Sequence, residues 1–213
     1  MPNVVSNFVT FGSGEKSREA FRRMLVAVRK DGESLGSIAF EKLIPMPEYV
    51  RESMEPGRSA GEAQPLWLRW SVENWGSKWD AIDYFQLDPE KGDDTMEFST
   101  AWTPVEPVVT ALSRMFPDQT VEYRWAENEN LGMNVGEMTL QNGEKVSEWI
   151  PGDFTREAFE LSAAILDLDL ADYDLYLTED KSTYEYRETP PPPPRQPGTE
   201  RRSGHRNPAR PAR

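Results

Sequence analysis

Apolar residues recur along this chain in two rhythms, one every second position and one every third or fourth. Val4 to Phe11 is β-branched and aromatic with Val5, Val9 and Phe11 on one face, which predicts a strand broken by Gly12-Ser13-Gly14. From Glu15 to about Arg29, Phe21, Met24, Leu25 and Val28 fall at i, i+3, i+4 and i+7. This is the stripe of an amphipathic helix, and Gly32 follows its end. Ser37 to Ile44 reads as a second strand stopped by Pro45-Met46-Pro47. Residues 48–65 are rich in Pro, Gly, Ser and charge and open an insertion that runs to about residue 78. Within it, Leu66 to Asn74 reads as a short helix with Trp67 and Trp70 one turn apart and Gly76 ending it.

Beyond the insertion, Trp79 to Leu87 reads as extended. Met96, Phe98, Thr100 and Trp102 alternate with Glu97, Ser99 and Ala101 as a half-buried strand. Thr103 is the expected N-cap and Pro104 the first turn of a helix carrying Val105, Val108, Val109, Leu112, Met115 and Phe116. Val121, Tyr123 and Trp125 alternate with Glu122 and Arg124. Met133–Leu140, Asn142-Gly143 and Lys145–Ile150 then form the clearest hairpin signal in the chain. The order β-α-β, insertion, β-β-α-β-β-β predicts an α+β domain over residues 1–151, a ferredoxin-like antiparallel sheet with its helices on one face.

Residues 152–189 form an acidic extension. Its helix is marked by Phe154, Ala158, Leu161, Ile165 and Leu168, whereas 167–174 fits helical and alternating patterns equally. From 190 to 213 the composition changes. Pro190–Pro194 is a polyproline II spacer, and the Arg, Pro, Gly and Ser that follow offer almost nothing to bury. This tail is expected to be disordered and dispensable for folding.

Charge sharpens the division. The tail carries six arginines and one acid, a net +5, which leaves residues 1–189 with 18 bases against 36 acids, a net −18. A body this acidic repels phosphate, so direct nucleic-acid binding by the folded part is not expected. The chain has no cysteine and a single histidine, His205 in the tail, which removes disulfides, thiolate chemistry and His-based triads or metal sites. No cofactor and no metal are expected. No apolar run reaches the ~18 residues of a membrane span, and the start lacks a basic n-region and a long apolar run, so a cytoplasmic protein is expected.

Four motifs invite a chemical reading. Gly12-Ser13-Gly14-Glu15-Lys16-Ser17 lies between a strand and a helix, but Glu15 and Val9 stand where a phosphate loop needs glycine. A Gly-rich turn with Ser13 near the cap is the plainer reading. The acids from Asp167 onward fail the calcium-loop spacing at Ala171 and Asp172. Carboxylate pairs of the glycosidase kind lack any motif among so many acids. An RNA-binding sheet would need an aromatic, Gly-rich pattern that the strands lack.

Two blocks are more particular: Asn74-Trp75-Gly76-Ser77-Lys78-Trp79-Asp80-Ala81, and Phe98-Ser99-Thr100-Ala101-Trp102-Thr103-Pro104-Val105-Glu106-Pro107 followed by a helix and Phe116-Pro117. With the opening Met1-Pro2-Asn3, this order resembles the YubB-type family of phage and plasmid proteins with a ferredoxin-like domain, over roughly residues 1–145. Val4-Val5 replaces the Trp-Cys of the family pattern, and Val105 stands in place of a second proline. The resemblance implies a mobile-element origin and assigns no catalytic residue. Physically the blocks read as architecture, with Trp75, Trp79 and Trp102 expected in one buried cluster. The alternative is a ligand groove bounded by Trp75, Lys78, Asp80 and Trp102.

The reading is therefore a non-enzymatic, acidic interaction protein whose partner is a host or element protein. Asp167, Asp169, Asp172 and Asp174 are expected at the centre of the partner surface, within a segment from 152 to 189 of eleven acids and three bases. One alternative is a nucleic-acid mimic that inhibits a basic restriction or CRISPR nuclease. Another is a small-ligand site or enzyme using the tryptophan-bounded groove.

Overall fold

The computed structural model describes residues 3–55 and 64–187. The expectations for the tail at 190–213 and for the middle of the insertion lie outside the described residues. The chain runs β1 (Val4–Phe11), α1 (Glu15–Val28), two single-turn helices α2 (Phe40–Leu43) and α3 (Glu48–Arg51), and α4 (Leu66–Trp75). It continues with β2 (Asp83–Tyr84), β3 (Thr95–Ala101), α5 (Glu106–Met115), β4 (Thr120–Glu127), β5 (Gly136–Gln141) and β6 (Glu144–Trp149). The last elements are α6 (Arg156–Leu166), β7 (Leu175–Leu177) and β8 (Tyr184–Tyr186).

Six strands form one sheet in the order β2-β3-β1-β4-β5-β6, every neighbouring pair antiparallel. The first four places, 2-3-1-4, are those of a ferredoxin-like βαββαβ unit, and the β5–β6 hairpin widens the sheet beside β4. Asn142 and Gly143 both adopt positive φ, 51° and 76°, the mirror-image turn that matches strand twist.

Alternation along the strands sends one set of side chains to a single core. Val5 and Val9 of β1, Met96 and Phe98 of β3, Val121 and Tyr123 of β4, and Met138 and Leu140 of β5 are buried on one face. Phe21, Met24, Leu25 and Val28 of α1 and Val108, Val109 and Leu112 of α5 close over that same face. The two main helices thus share a face, as their periodicity predicts. Helix α6 does not join them. Its Ala158, Leu161 and Ile165 pack on Ala126, Val135 and Phe8, and Ala126 and Phe8 project from the reverse side of the sheet.

Three local expectations are corrected. Ser37–Ile44 is not a strand; only Leu35 and Ser37 form an isolated bridge, and Phe40–Leu43 is helical. Ile38 and Phe40 are fully buried in the core, Phe40 edge-on to Trp75 and Phe98, and the sheet position beside β3 is taken by Asp83–Tyr84, the narrow core of the extended stretch at 79–87. Thr103 does not cap α5. Val105 is the N-cap residue, and the Thr103 hydroxyl donates instead to the Gly76 carbonyl at 2.5 Å. Helix α1 starts from Gly14 without any side-chain cap, so Ser13 does not cap it. Among the described residues no helix is long and apolar enough to cross a membrane.

Candidate functional site

The two tryptophan blocks meet where α4 ends. Gly76 takes the left-handed conformation at φ 78°, and a Cβ there would lie 3.1 Å from the Pro104 carbonyl oxygen, so the blocks touch through backbone that only glycine allows. The turn then separates the residues it carries. Trp75 goes into the core, edge-on to Trp70 and Phe40 at 5.3 and 6.0 Å between ring centroids, and its indole N–H donates to the Ile44 carbonyl at 2.9 Å. Asp80 points to another element. It accepts from the backbone N–H groups of Phe40 and Ala81 and lies 3.8 Å from the Lys30 ammonium. Burial pushes its carboxyl up, against the opposing pull of Lys30.

What remains at the surface is a small aromatic platform. Trp79 and Trp102 stack with centroids 5.5 Å apart and planes 29° apart, and they are 39% and 43% exposed. The Lys78 ammonium sits 4.3 Å from the Trp79 ring centre and 5.7 Å from that of Trp102. The expectation of one buried cluster of Trp75, Trp79 and Trp102 is thus wrong, because Trp75 alone is buried. The alternative, a groove of Trp75, Lys78, Asp80 and Trp102, is divided too, since Lys78 and Trp102 come together while Trp75 enters the core and Asp80 binds the backbone at Phe40 and Ala81. Trp79 is the member that sequence reasoning left out of the groove. Trp102 holds φ 66°, unusual for a bulky residue, with its N–H on the Asn3 carbonyl and its carbonyl accepting from Asn134 at 2.9 Å. Beside Lys78, the Ser77 hydroxyl is buried without a hydrogen-bond partner.

The acidic segment folds as a C-terminal lobe seated on the reverse side of the sheet through α6. Thr155 caps α6 by accepting from the Ala158 N–H at 3.2 Å, and Asp167 ends the helix in the left-handed conformation at φ 52°. Residues 167–174, ambiguous in sequence, become two sharp bends around a single 3₁₀ turn from Leu170 to Tyr173. Asp169 caps that turn by accepting from the Ala171 N–H at 2.9 Å. Leu170 is buried with Leu131 and Phe159, and the β7–β8 hairpin folds back so that Leu175 and Tyr184 pack on that cluster.

Between α6, the turn and the hairpin lies an open cavity of about 730 Å³, with Asp167, Asp169, Leu168, Leu175, Tyr176 and Tyr184 in its lining. Asp172 and Asp174 are not in that lining, so the four aspartates divide into a pair at the groove and a pair beyond it. Glu160, also at the groove, is held by Arg156 at 2.7 Å. Asp167, Asp169 and Asp172 are exposed and make no salt bridge among the described residues.

Other parts of the molecule contribute less. The Gly12–Gly14 turn borders a cavity of about 340 Å³ that Asp94, Glu122 and Arg18 also line, the Arg18 guanidinium already paired with Glu15. On the reverse sheet face, Glu122, Arg124, Glu137 and Trp149 surround a cavity of about 290 Å³. Among the described residues, no three His, Cys, Asp or Glu side chains converge as metal ligands.

Residues 74–169 match the family described as the ferredoxin-like domain in Api92-like protein. The match starts at the Asn-Trp-Gly block and runs through α6 to Asp169. No curated protein matches the chain. The crystal structure of a protein api92 from Yersinia pseudotuberculosis is similar at 16% identity and a TM-score of 0.42, over 53% of this chain and 39% of that one. This chain therefore spans well under half the length of that protein.

Proposed function

We propose that this chain is a non-enzymatic interaction protein of a phage or plasmid of the YubB type. It acts in the cytoplasm and presents its acidic C-terminal lobe to a basic protein partner. The observation that carries this reading is the exposure of Asp167, Asp169 and Asp172 with no salt bridge among the described residues. Holding like charges together without counter-ions costs self-repulsion, and a cationic partner relieves it. The partner class that fits is a host nucleic-acid-binding protein, whose basic groove is built to take spaced negative charges. Capture from host lysate at low and high salt tests the reading. Replacing Asp167, Asp169, Asp172 and Asp174 with Asn should abolish low-salt capture while leaving the fold intact. Equal capture by the two proteins at every salt concentration would overturn it.

A second reading rests on a different observation. The Lys78 ammonium and the half-exposed Trp79–Trp102 stack suit a small planar ligand carrying an anionic group. Loss of binding in Lys78→Ala, with the Asn variants unaffected, would favour it over the acidic lobe.

A further inference from the structure

The groove of the C-terminal lobe is neither simply acidic nor simply apolar. Leu168, Leu175, Tyr176 and Tyr184 give it an apolar wall, and Asp167 and Asp169 stand at it without salt bridges among the described residues. Its volume of about 730 Å³ falls within the roughly 300–1,000 Å³ of sites that hold a ligand. A peptide that offers rigid apolar rings and guanidinium groups in succession suits such a lining. The rings cover Leu and Tyr, and the guanidinium is the cation that best pairs a carboxylate in two-point geometry.

The chain contains that peptide, and it leaves the lobe at the groove. Arg187 is fastened there, its N–H donating to the Asp174 carbonyl at 2.8 Å and its guanidinium to the carbonyl of Leu177, a lining residue, at 3.3 Å. Glu188 and Thr189 follow, then five prolines from Pro190 to Pro194, Arg195, and the Arg201-Arg202 pair. Five residues of polyproline II span about 16 Å. Prolines also bring no N–H to desolvate and lose little conformational freedom on docking. The net +5 of the tail is opposite in sign to the −8 of residues 152–189.

We propose that the segment Pro190–Arg202 docks within its own chain in this groove. Its prolines lie on Leu168, Tyr176 and Tyr184, and Arg195 pairs with Asp167 and Asp169. The inference builds on the acidic lobe as the partner surface, because the tail then shields that surface and a basic partner must displace it.

The absence of cysteine makes a direct test simple, since Gly198→Cys in the full chain takes a spin label at one position. In low salt, the amide signals of Leu168, Asp169, Tyr176 and Leu177 should lose more than half their intensity while those of α1 do not change. The loss should disappear in about 1 M salt and in a folded D167N/D169N variant. Uniform broadening, or none, overturns the proposal. Broadening of an unlabelled chain mixed with a spin-labelled one places the tail on a second copy and overturns docking in cis. Localised broadening in a protein that captures nothing from lysate would leave the groove standing and sink only the partner reading. Salt-sensitive capture without broadening would do the reverse.

Discussion

The Tyr123 hydroxyl donates a 2.6 Å hydrogen bond to the Asn7 side-chain oxygen, and both residues are completely buried. The same hydroxyl accepts from the Val105 N–H at 2.9 Å, and the Asn7 amide donates to the Thr100 hydroxyl at 2.9 Å. Four polar groups in the centre of an apolar core therefore satisfy one another, tying β1, β3 and β4 to the start of α5. Tyr123→Phe removes a shared partner and leaves Asn7 and Val105 unsatisfied. It should cost about 1–3 kcal/mol in denaturant unfolding. Unchanged stability would mean that the network is incidental.

The same phenol makes stability sensitive to alkali. Burial holds the Tyr123 hydroxyl far above its ordinary value, so the folded chain keeps the proton after the unfolded chain has lost it. Its contribution is complete below the unfolded value near 10 and falls as pH rises above it. Stability of the wild type should therefore decline from about pH 10 upward, more steeply than in Tyr123→Phe, as followed by circular dichroism. Parallel declines would assign the alkaline loss to other groups.

Gly136 faces Trp125 across the β4–β5 pair, and a Cβ there would lie 2.4 Å from the indole ring. Gly136→Ala should destabilise by about 1–3 kcal/mol through overpacking. Much of that loss should be recovered when Trp125→Phe is added, a coupling that a double-mutant cycle measures. Full additivity would show that the ring moves aside at no cost.

Trp102 is held at φ 66° yet is 43% exposed, so backbone strain and burial compete there. The left-handed conformation costs a residue with a Cβ about 1–2 kcal/mol, and glycine escapes that cost. Trp102→Gly should therefore be more stable than Trp102→Ala, contrary to the usual order within a strand or helix. Thermal midpoints of the two variants decide it, and the reverse order would remove strain as a property of this junction.

How far the sequence revealed these features depended on how local their causes are. The β5–β6 hairpin follows from Asn142-Gly143, and the end of α4 from Gly76, because each turn is set by the residues at it. The second strand is legible only as an extended stretch at 79–87, because Asp83–Tyr84 is too short for alternation to mark it, while buried Ile38 and Phe40 imitate a strand that does not form. Aromatic residue type could not separate buried Trp75 from half-exposed Trp79 and Trp102, since that depends on which way Gly76 turns the chain. The aspartates of the lobe were visible as a charge run. Their division between groove and outer surface arises from left-handed bends at Asp167 and Asp174, which Asp tolerates but does not announce.

The turn that joins β7 to β8 gathers its hydrogen bonds on one carboxylate. Asp180 accepts hydrogen bonds from the Thr178 hydroxyl, the Ser182 N–H and the Ser182 hydroxyl, at 2.7, 3.0 and 2.8 Å. These bonds, the Thr178 hydroxyl foremost, bring its pKa down from 3.8 to about 2. A depressed carboxyl contributes stability above its unfolded value and loses it as pH falls through the folded one. The β7–β8 hairpin should therefore keep its support at pH 4 and lose it toward about pH 2. Asp180→Asn keeps the size of the side chain but loses the charge that strengthens all three bonds. Protection factors of the Leu175, Leu177 and Tyr184 amides should be lower in that variant at neutral pH and unchanged by acid down to about pH 2, while those in β1 and β4 stay the same. Because Leu175, Leu177 and Tyr184 form one wall of the groove, a loosened hairpin should also weaken whatever occupies it. Exchange that is unaltered by the substitution would mean that packing of Tyr184 on Phe159, at 5.6 Å between ring centres, holds the hairpin without Asp180.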